Sequence, residues 1–124
     1  MLNYKIIKRK DIKGELDYLI LVDEPFIFIG RVILGNFDQS PQNIQMNIDA
    51  LIAVQKGEKE EHIIANESGF LAIAGLEDKE QEIEEGVYIY DQFGDDSENP
   101  LYIVPVEEII KLLQDFKKFV EDNN

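Results

Sequence analysis

From Pro105 to Val120 the chain repeats apolar residues at spacings of three and four: Ile109, Ile110, Leu112, Leu113, Phe116, Phe119 and Val120. That spacing gathers them on one side of an α-helix. Pro105 suits the opening turn, where its missing N–H costs nothing. A lone amphipathic helix is marginal in water, so its apolar stripe needs a surface to cover. The rest of the sequence supplies that surface mainly as strands.

Residues 3–8 read as a short strand or its approach. Leu16 to Val22, rich in Leu, Ile and Tyr, reads as a second strand, and Phe26 to Leu34 as a third, with Asp23-Glu24-Pro25 as the turn between them. Gly30 interrupts the third run and marks a candidate bulge. Ile44, Met46, Ile48, Ala50, Ile52 and Val54 alternate with period 2, as in a strand, but Ile44, Ile48, Leu51 and Ile52 also fit a helical face. Length and end signals favour the helix. Ser40 suits the N-cap, Pro41 the first turn and Gly57 the C′ position. Further strands are expected at His62 to Asn66, Phe70 to Leu76, Val87 to Phe93 and Leu101 to Val104. The turns between them fall at Glu67-Ser68-Gly69, the charged stretch 77–86 and the acidic stretch 94–100. Consecutive strands on short turns pair antiparallel. The expected fold is therefore α+β: a single antiparallel sheet of about five to seven strands packed against two helices, about 40–56 and about 105–120. No linker or repeat divides residues 1–124, a length that suits one domain.

Little in the composition suits catalysis. There is no Cys, Thr or Trp, and His62 is the only His. Disulfides and thiolate metal sites are thereby excluded, and one His cannot supply a zinc site. Ser40 is better explained as a cap, and Ser68 and Ser97 as turn residues; none sits in a G-x-S-x-G elbow. His62, beside Glu60 and Glu61, is better explained as a solvated or half-buried surface residue than as a base. An EF-hand-type loop starting at Asp91 would need oxygen ligands where Phe93 and Tyr102 stand. The stretch Gly69 to Gly75 is apolar and has no Walker lysine. The Lys8-Arg9-Lys10 cluster is better read as a solvated strand end than as a phosphate or membrane contact. We expect no enzyme activity, cofactor or metal. The apolar runs are far shorter than the roughly 20 residues of a membrane span. No signal-peptide h-region follows the N-terminal residues. The expectation is a cytoplasmic protein that engages no membrane.

The net charge of −14 is unevenly placed. Residues 1–13 hold five basic side chains against one acid, whereas residues 58–124 hold nineteen acids against five bases. Nucleic acid would be repelled, and a basic protein attracted and steered. Two stretches hold most of the excess: 77–85, with Glu77, Asp78, Glu82 and Glu84, and 91–98, with Asp91, Asp95, Asp96 and Glu98. Tyr88, Tyr90 and Phe93 lie close by in sequence. Aromatic residues inside an acidic rim suit the hot spot of a partner-binding surface. Alternation along the strand would instead bury Phe93 or one of the tyrosines in the core.

Two further stretches carry a family resemblance. Ala50-Leu51-Ile52-Ala53-Val54-Gln55-Lys56-Gly57, followed by His62-Ile63-Ile64-Ala65, is one. The other runs from Ile103-Val104-Pro105-Val106 through Glu107-Glu108-Ile109-Ile110 to Phe116 and Phe119. They resemble the immunity proteins of bacterial polymorphic-toxin and contact-dependent growth inhibition systems: a helix leading into a strand, and a closing strand and helix with an aromatic residue near Phe116. Met46 and Asn47 stand where the first helix of that pattern carries aromatic and glutamine residues. The matching stretches are structural, so they transfer no binding residues. The resemblance implies an immunity protein that binds and neutralises a cognate basic toxin domain, a nuclease first among the candidates. The alternatives are a small regulatory or adaptor domain for another cytoplasmic protein, and an enzyme working with carboxylates and tyrosines alone.

Overall fold

The computed structural model describes residues 2–10, 12–30, 40–65, 70–75, 85–95 and 97–123. Strands β1 (Tyr4–Lys10) and β2 (Leu16–Val22) form an antiparallel hairpin with Tyr4 opposite Val22 and Lys10 opposite Leu16. Gly14, at φ 81°, supplies the left-handed residue in the turn. Tyr18, Ile20 and Val22 are buried while Leu21 is exposed, the period-2 pattern of a sheet with one covered face.

Helix α1 (Pro41–Gln55) settles the ambiguous segment. Ile44, Ile48, Leu51 and Val54 are buried, whereas Met46, apolar on the period-2 reading, is 68% exposed. The caps are those the sequence offers. The Asn43 N–H donates to Ser40 Oγ at 3.2 Å, and Pro41 follows the cap, as a helix start favours. At the other end the Gly57 N–H donates to the Val54 carbonyl (3.1 Å) and the Glu58 N–H to that of Ala53 (2.9 Å). With Gly57 at φ 76°, that is a Schellman closure.

Strands β3 (Glu61–Ala65), β4 (Phe70–Gly75), β5 (Gly86–Asp91) and β6 (Tyr102–Val104) follow as an antiparallel meander in the order β3-β4-β5-β6. Helix α2 (Val106–Asn123) closes the chain and runs three residues beyond Val120. It holds the centre of the core: Leu112, Leu113 and Phe116 are wholly buried. Helix α1 packs against it and against β3 and β4. The hairpin packs against α2 as well. Tyr18 stands edge-on to Phe116 with centroids 6.3 Å apart. It stands edge-on to Phe119 as well, at 6.0 Å, the arrangement that ring quadrupoles favour. Chain-end contacts fasten the hairpin further. The Leu2 N–H donates to Glu108 Oε2 (3.2 Å), the Tyr4 hydroxyl donates to the Asp115 carboxylate, and Lys8 Nζ donates to the Asn123 carbonyl (3.3 Å). Burial, reinforced by Asp115, holds the Tyr4 hydroxyl firmly protonated.

The mixed helix-and-strand architecture with antiparallel pairing agrees with expectation, but the single sheet does not. Among the described residues there are two sheets, of two and four strands. The hairpin spends its inner face on α2 and, among the described residues, pairs with no strand of the meander. The segment read as a strand from Phe26 to Leu34 is helical at residues 28–30, and residues 31–34 lie outside the described residues. The Ile29 N–H turns back to the Phe26 carbonyl (3.1 Å), and the Phe28 N–H donates to the Tyr102 hydroxyl (3.0 Å). Gly30 marks no bulge. A Cβ there would fall on the Ile20 carbonyl oxygen, so glycine lets this helical turn press onto β2. Val87 to Phe93 also divides: β5 ends at Asp91, and Gln92 and Phe93 lie in the turn. The turn expected at Glu67-Ser68-Gly69 lies outside the described residues. Among the described residues no helix is long and apolar enough to cross a membrane.

Candidate partner-binding surface

The meander has an inner face towards the helices and an outer face away from them. Burial alternates along each strand. Ile64, Ala72, Ala74, Val87, Ile89 and Val104 are buried. The intervening residues are not: Ile63 is 49% exposed and Ile103 41%, while Ile73 and Tyr88 are half-buried. Register aligns these four. Ile63 pairs with Ile73, Ile73 with Tyr88, and Tyr88 with Ile103. Neighbouring strands lie about 4.8 Å apart, so the row crosses all four strands over roughly 14 Å. Tyr90, two residues beyond Tyr88, shares this outer face and is also half-buried.

Beside the row two glycines stand opposite each other. Gly75 pairs with Gly86, and neither offers a side chain. At Gly86 the omission is required: a Cβ would come within 2.9 Å of Ile103 Cγ2 and 3.0 Å of the Val104 carbonyl oxygen.

Acidic residues stand at both ends of the strands. Glu60, Glu61 and Glu85 are exposed at the end where β3 and β5 begin. Asp95 and Glu98 are exposed in the turn after β5, next to Phe93, which is 78% exposed. Asp91 is committed to that turn, as Asp often is. Its Oδ1 accepts the Phe93 N–H at 3.1 Å, and its carbonyl accepts the Gly94 N–H at 3.3 Å.

The structure therefore brings together Tyr88, Tyr90, Asp91, Phe93, Asp95 and Glu98 from the sequence-derived site. Glu77, Asp78, Glu82, Glu84 and Asp96 lie outside the described residues. Sequence reasoning missed Ile63, Ile73 and Ile103. The one trace of them is the alternation of small and large residues along Ala72-Ile73-Ala74, where the alanines face the core.

On the inner side, Tyr102 holds the segment 26–30. Its ring meets Phe26 edge-on (centroids 5.1 Å apart) and its oxygen accepts the Phe28 N–H. Burial pushes its hydroxyl up to about 12, since the phenolate would lose its water. His62 is half-buried at the edge of the inner face. Its Nε2 lies 2.9 Å from Asn47 Oδ1 and its Nδ1 3.3 Å from Lys59 Nζ. The Asn47 amide donates in turn to the Asn43 carbonyl (2.9 Å). That orients Asn47 Oδ1 as an acceptor and His62 Nε2–H as its donor, leaving Nδ1 to accept from Lys59. Burial first, and the Lys59 charge second, lower the His62 pKa. The imidazole is thus a half-buried bracket between α1 and β3. Among the described residues no group of three or more His, Asp or Glu is placed to hold a metal ion. No family model, curated protein or solved structure matches the chain.

Proposed function

We propose that this chain is a protein-binding inhibitor, an immunity protein that neutralises a basic toxin domain by covering its working surface. The observation that carries the reading is the exposed Phe93 in an acidic turn, with Asp95 and Glu98 beside it and Tyr88 and Tyr90 on the adjoining sheet face. Exposed carboxylates accelerate encounter with a cationic partner, and aromatic side chains that lose water on contact slow its release. Inhibition of this kind needs no turnover, so the one imidazole can serve as a bracket.

The test uses the full chain to capture its partner from the source cell, mass spectrometry to identify it, and an assay of the partner's activity with and without the chain. The expected result is a basic partner, inactivated at one-to-one stoichiometry. Association should slow as salt rises from about 0.01 to 0.15 M, where the Debye length shortens from roughly 30 to 8 Å. Asp95→Lys with Glu98→Lys should slow association and flatten that dependence; Phe93→Ala should speed dissociation. An acidic partner, or association indifferent to salt, refutes the electrostatic reading. A partner that stays active in the complex makes the chain an adaptor.

A further inference from the structure

We infer that the outer face of the meander is a docking surface for a protein surface bearing an apolar centre ringed by Lys or Arg. This rests on the reading of the chain as a protein-binding module and names where and how the partner sits. The apolar centre is the row Ile63, Ile73, Tyr88 and Ile103, set by direct cross-strand pairing across all four strands. Ile63 and Ile103 remain 49% and 41% exposed. Gly86 leaves room for Ile103 to lie over the sheet, since a Cβ there would come within 2.9 Å of Ile103 Cγ2.

The charges choose the occupant. Glu60, Glu61 and Glu85 flank the row at one end of the strands, and Asp95 and Glu98 lie towards the other. A second copy laid face to face would set these carboxylates against their equivalents, within a chain of net charge −14, and like charges so placed oppose association. An anionic membrane surface meets the same repulsion. A cationic rim around an apolar patch instead matches both features, with desolvated contacts at the centre and ion pairs at the margin.

The test uses two synthetic probes of equal composition. One is a peptide of Leu and Lys spaced to give one apolar and one cationic face; the other is its scrambled sequence with no such face. Each is titrated into the isotopically labelled full chain at low salt, and backbone amide shifts are followed. The expected result is saturable binding of the amphipathic probe, with shifts centred on Ile63, Ile73, Tyr88 and Ile103. The scrambled probe should bind at least tenfold more weakly. Ile63→Asp with Ile103→Asp should weaken the amphipathic probe at least tenfold. The shift map of the unsubstituted chain stands independently of whether that variant folds. Equal binding of both probes, shifts centred on the hairpin or α2, or no saturable binding would overturn the docking face, and so would self-association of the chain through these residues. Its failure is separable from that of the inhibitor reading, which is decided by the captured partner's charge and activity.

Discussion

Phe116 is where the helix periodicity and the packing can be tested against a number. Its side chain is wholly buried in α2, and its ring meets Tyr18 of β2 edge-on at 76°. Truncation to Ala removes a buried ring and leaves a cavity, which costs about 3–5 kcal/mol. Within that sum the lost aromatic pairing is worth about 0.5–1.5 kcal/mol. Domains of this kind are stable by about 5–15 kcal/mol, so the substitution removes a large share. The assay is equilibrium unfolding in urea. With a slope of about 1–3 kcal/mol per molar, the midpoint should fall by roughly 1–5 M at unchanged slope. Met46 on α1 is 68% exposed. Met46→Ala is therefore the control and should stay within about 0.5 kcal/mol. In a double-mutant cycle, Tyr18→Leu and Phe116→Ala should show a coupling above about 0.5 kcal/mol. A loss below about 1 kcal/mol for Phe116→Ala would show that this helix face is not the core-facing one.

Ser40→Ala should cost about 1 kcal/mol in the same unfolding assay, because the Asn43 N–H loses its capping acceptor; a neutral result refutes the cap. Gly30→Ala should destabilise by about 1–3 kcal/mol, since the new Cβ must displace the Ile20 carbonyl; an unchanged midpoint would mean that the helical turn does not press on β2. His62 has a lowered pKa in the fold, so below the unfolded value near 6.5 the unfolded chain binds the proton first. Its contribution is full above that value and is lost as pH falls through the lower folded value. Wild type should therefore lose more stability between about pH 8 and pH 5 than His62→Gln, which does not titrate; equal losses would refute the bracket.

Local chemistry made both long helices legible. Ser40, Pro41 and Gly57 each act on neighbours within a few residues, and the stripe from Ile109 to Val120 needs only the helical period. The strands were legible to within a residue or two for the same reason. Sheet membership was not. Whether Leu16 to Val22 joins a larger sheet or lies on a helix depends on Tyr18 finding Phe116 and Phe119 at the far end of the chain. Phe26-Ile27-Phe28-Ile29 is a short apolar run, and periodicity alone does not separate a buried strand from a buried helical turn. The discriminating contacts were Gly30 on the Ile20 carbonyl and Phe28 on Tyr102.

The aromatic and acidic half of the candidate surface could be read because Tyr88, Tyr90, Phe93, Asp95 and Glu98 are near neighbours in sequence. The isoleucine half could not, because Ile63, Ile73 and Ile103 meet only through register. A slip of one residue in β6 would turn Tyr102 and Val104 outward and Ile103 towards the core. With three residues, β6 has little ladder to resist such a slip. Other contacts hold it. The Leu101 N–H donates to the Ile89 carbonyl at 2.7 Å, Ile103 leans over Gly86, and Tyr102 is fixed from the inner side by Phe26 and the Phe28 N–H. The outer face thus depends on the inner one. The segment 26–30 grips Tyr102 on the core side, and that grip helps set the strand register that presents Ile103. A change at Phe26 should therefore disturb partner binding through β6 even where Phe26 touches no partner. Phe26→Ala should shift the backbone amides of Tyr88 and Ile103 in the unbound chain; amides left unmoved there would refute the coupling.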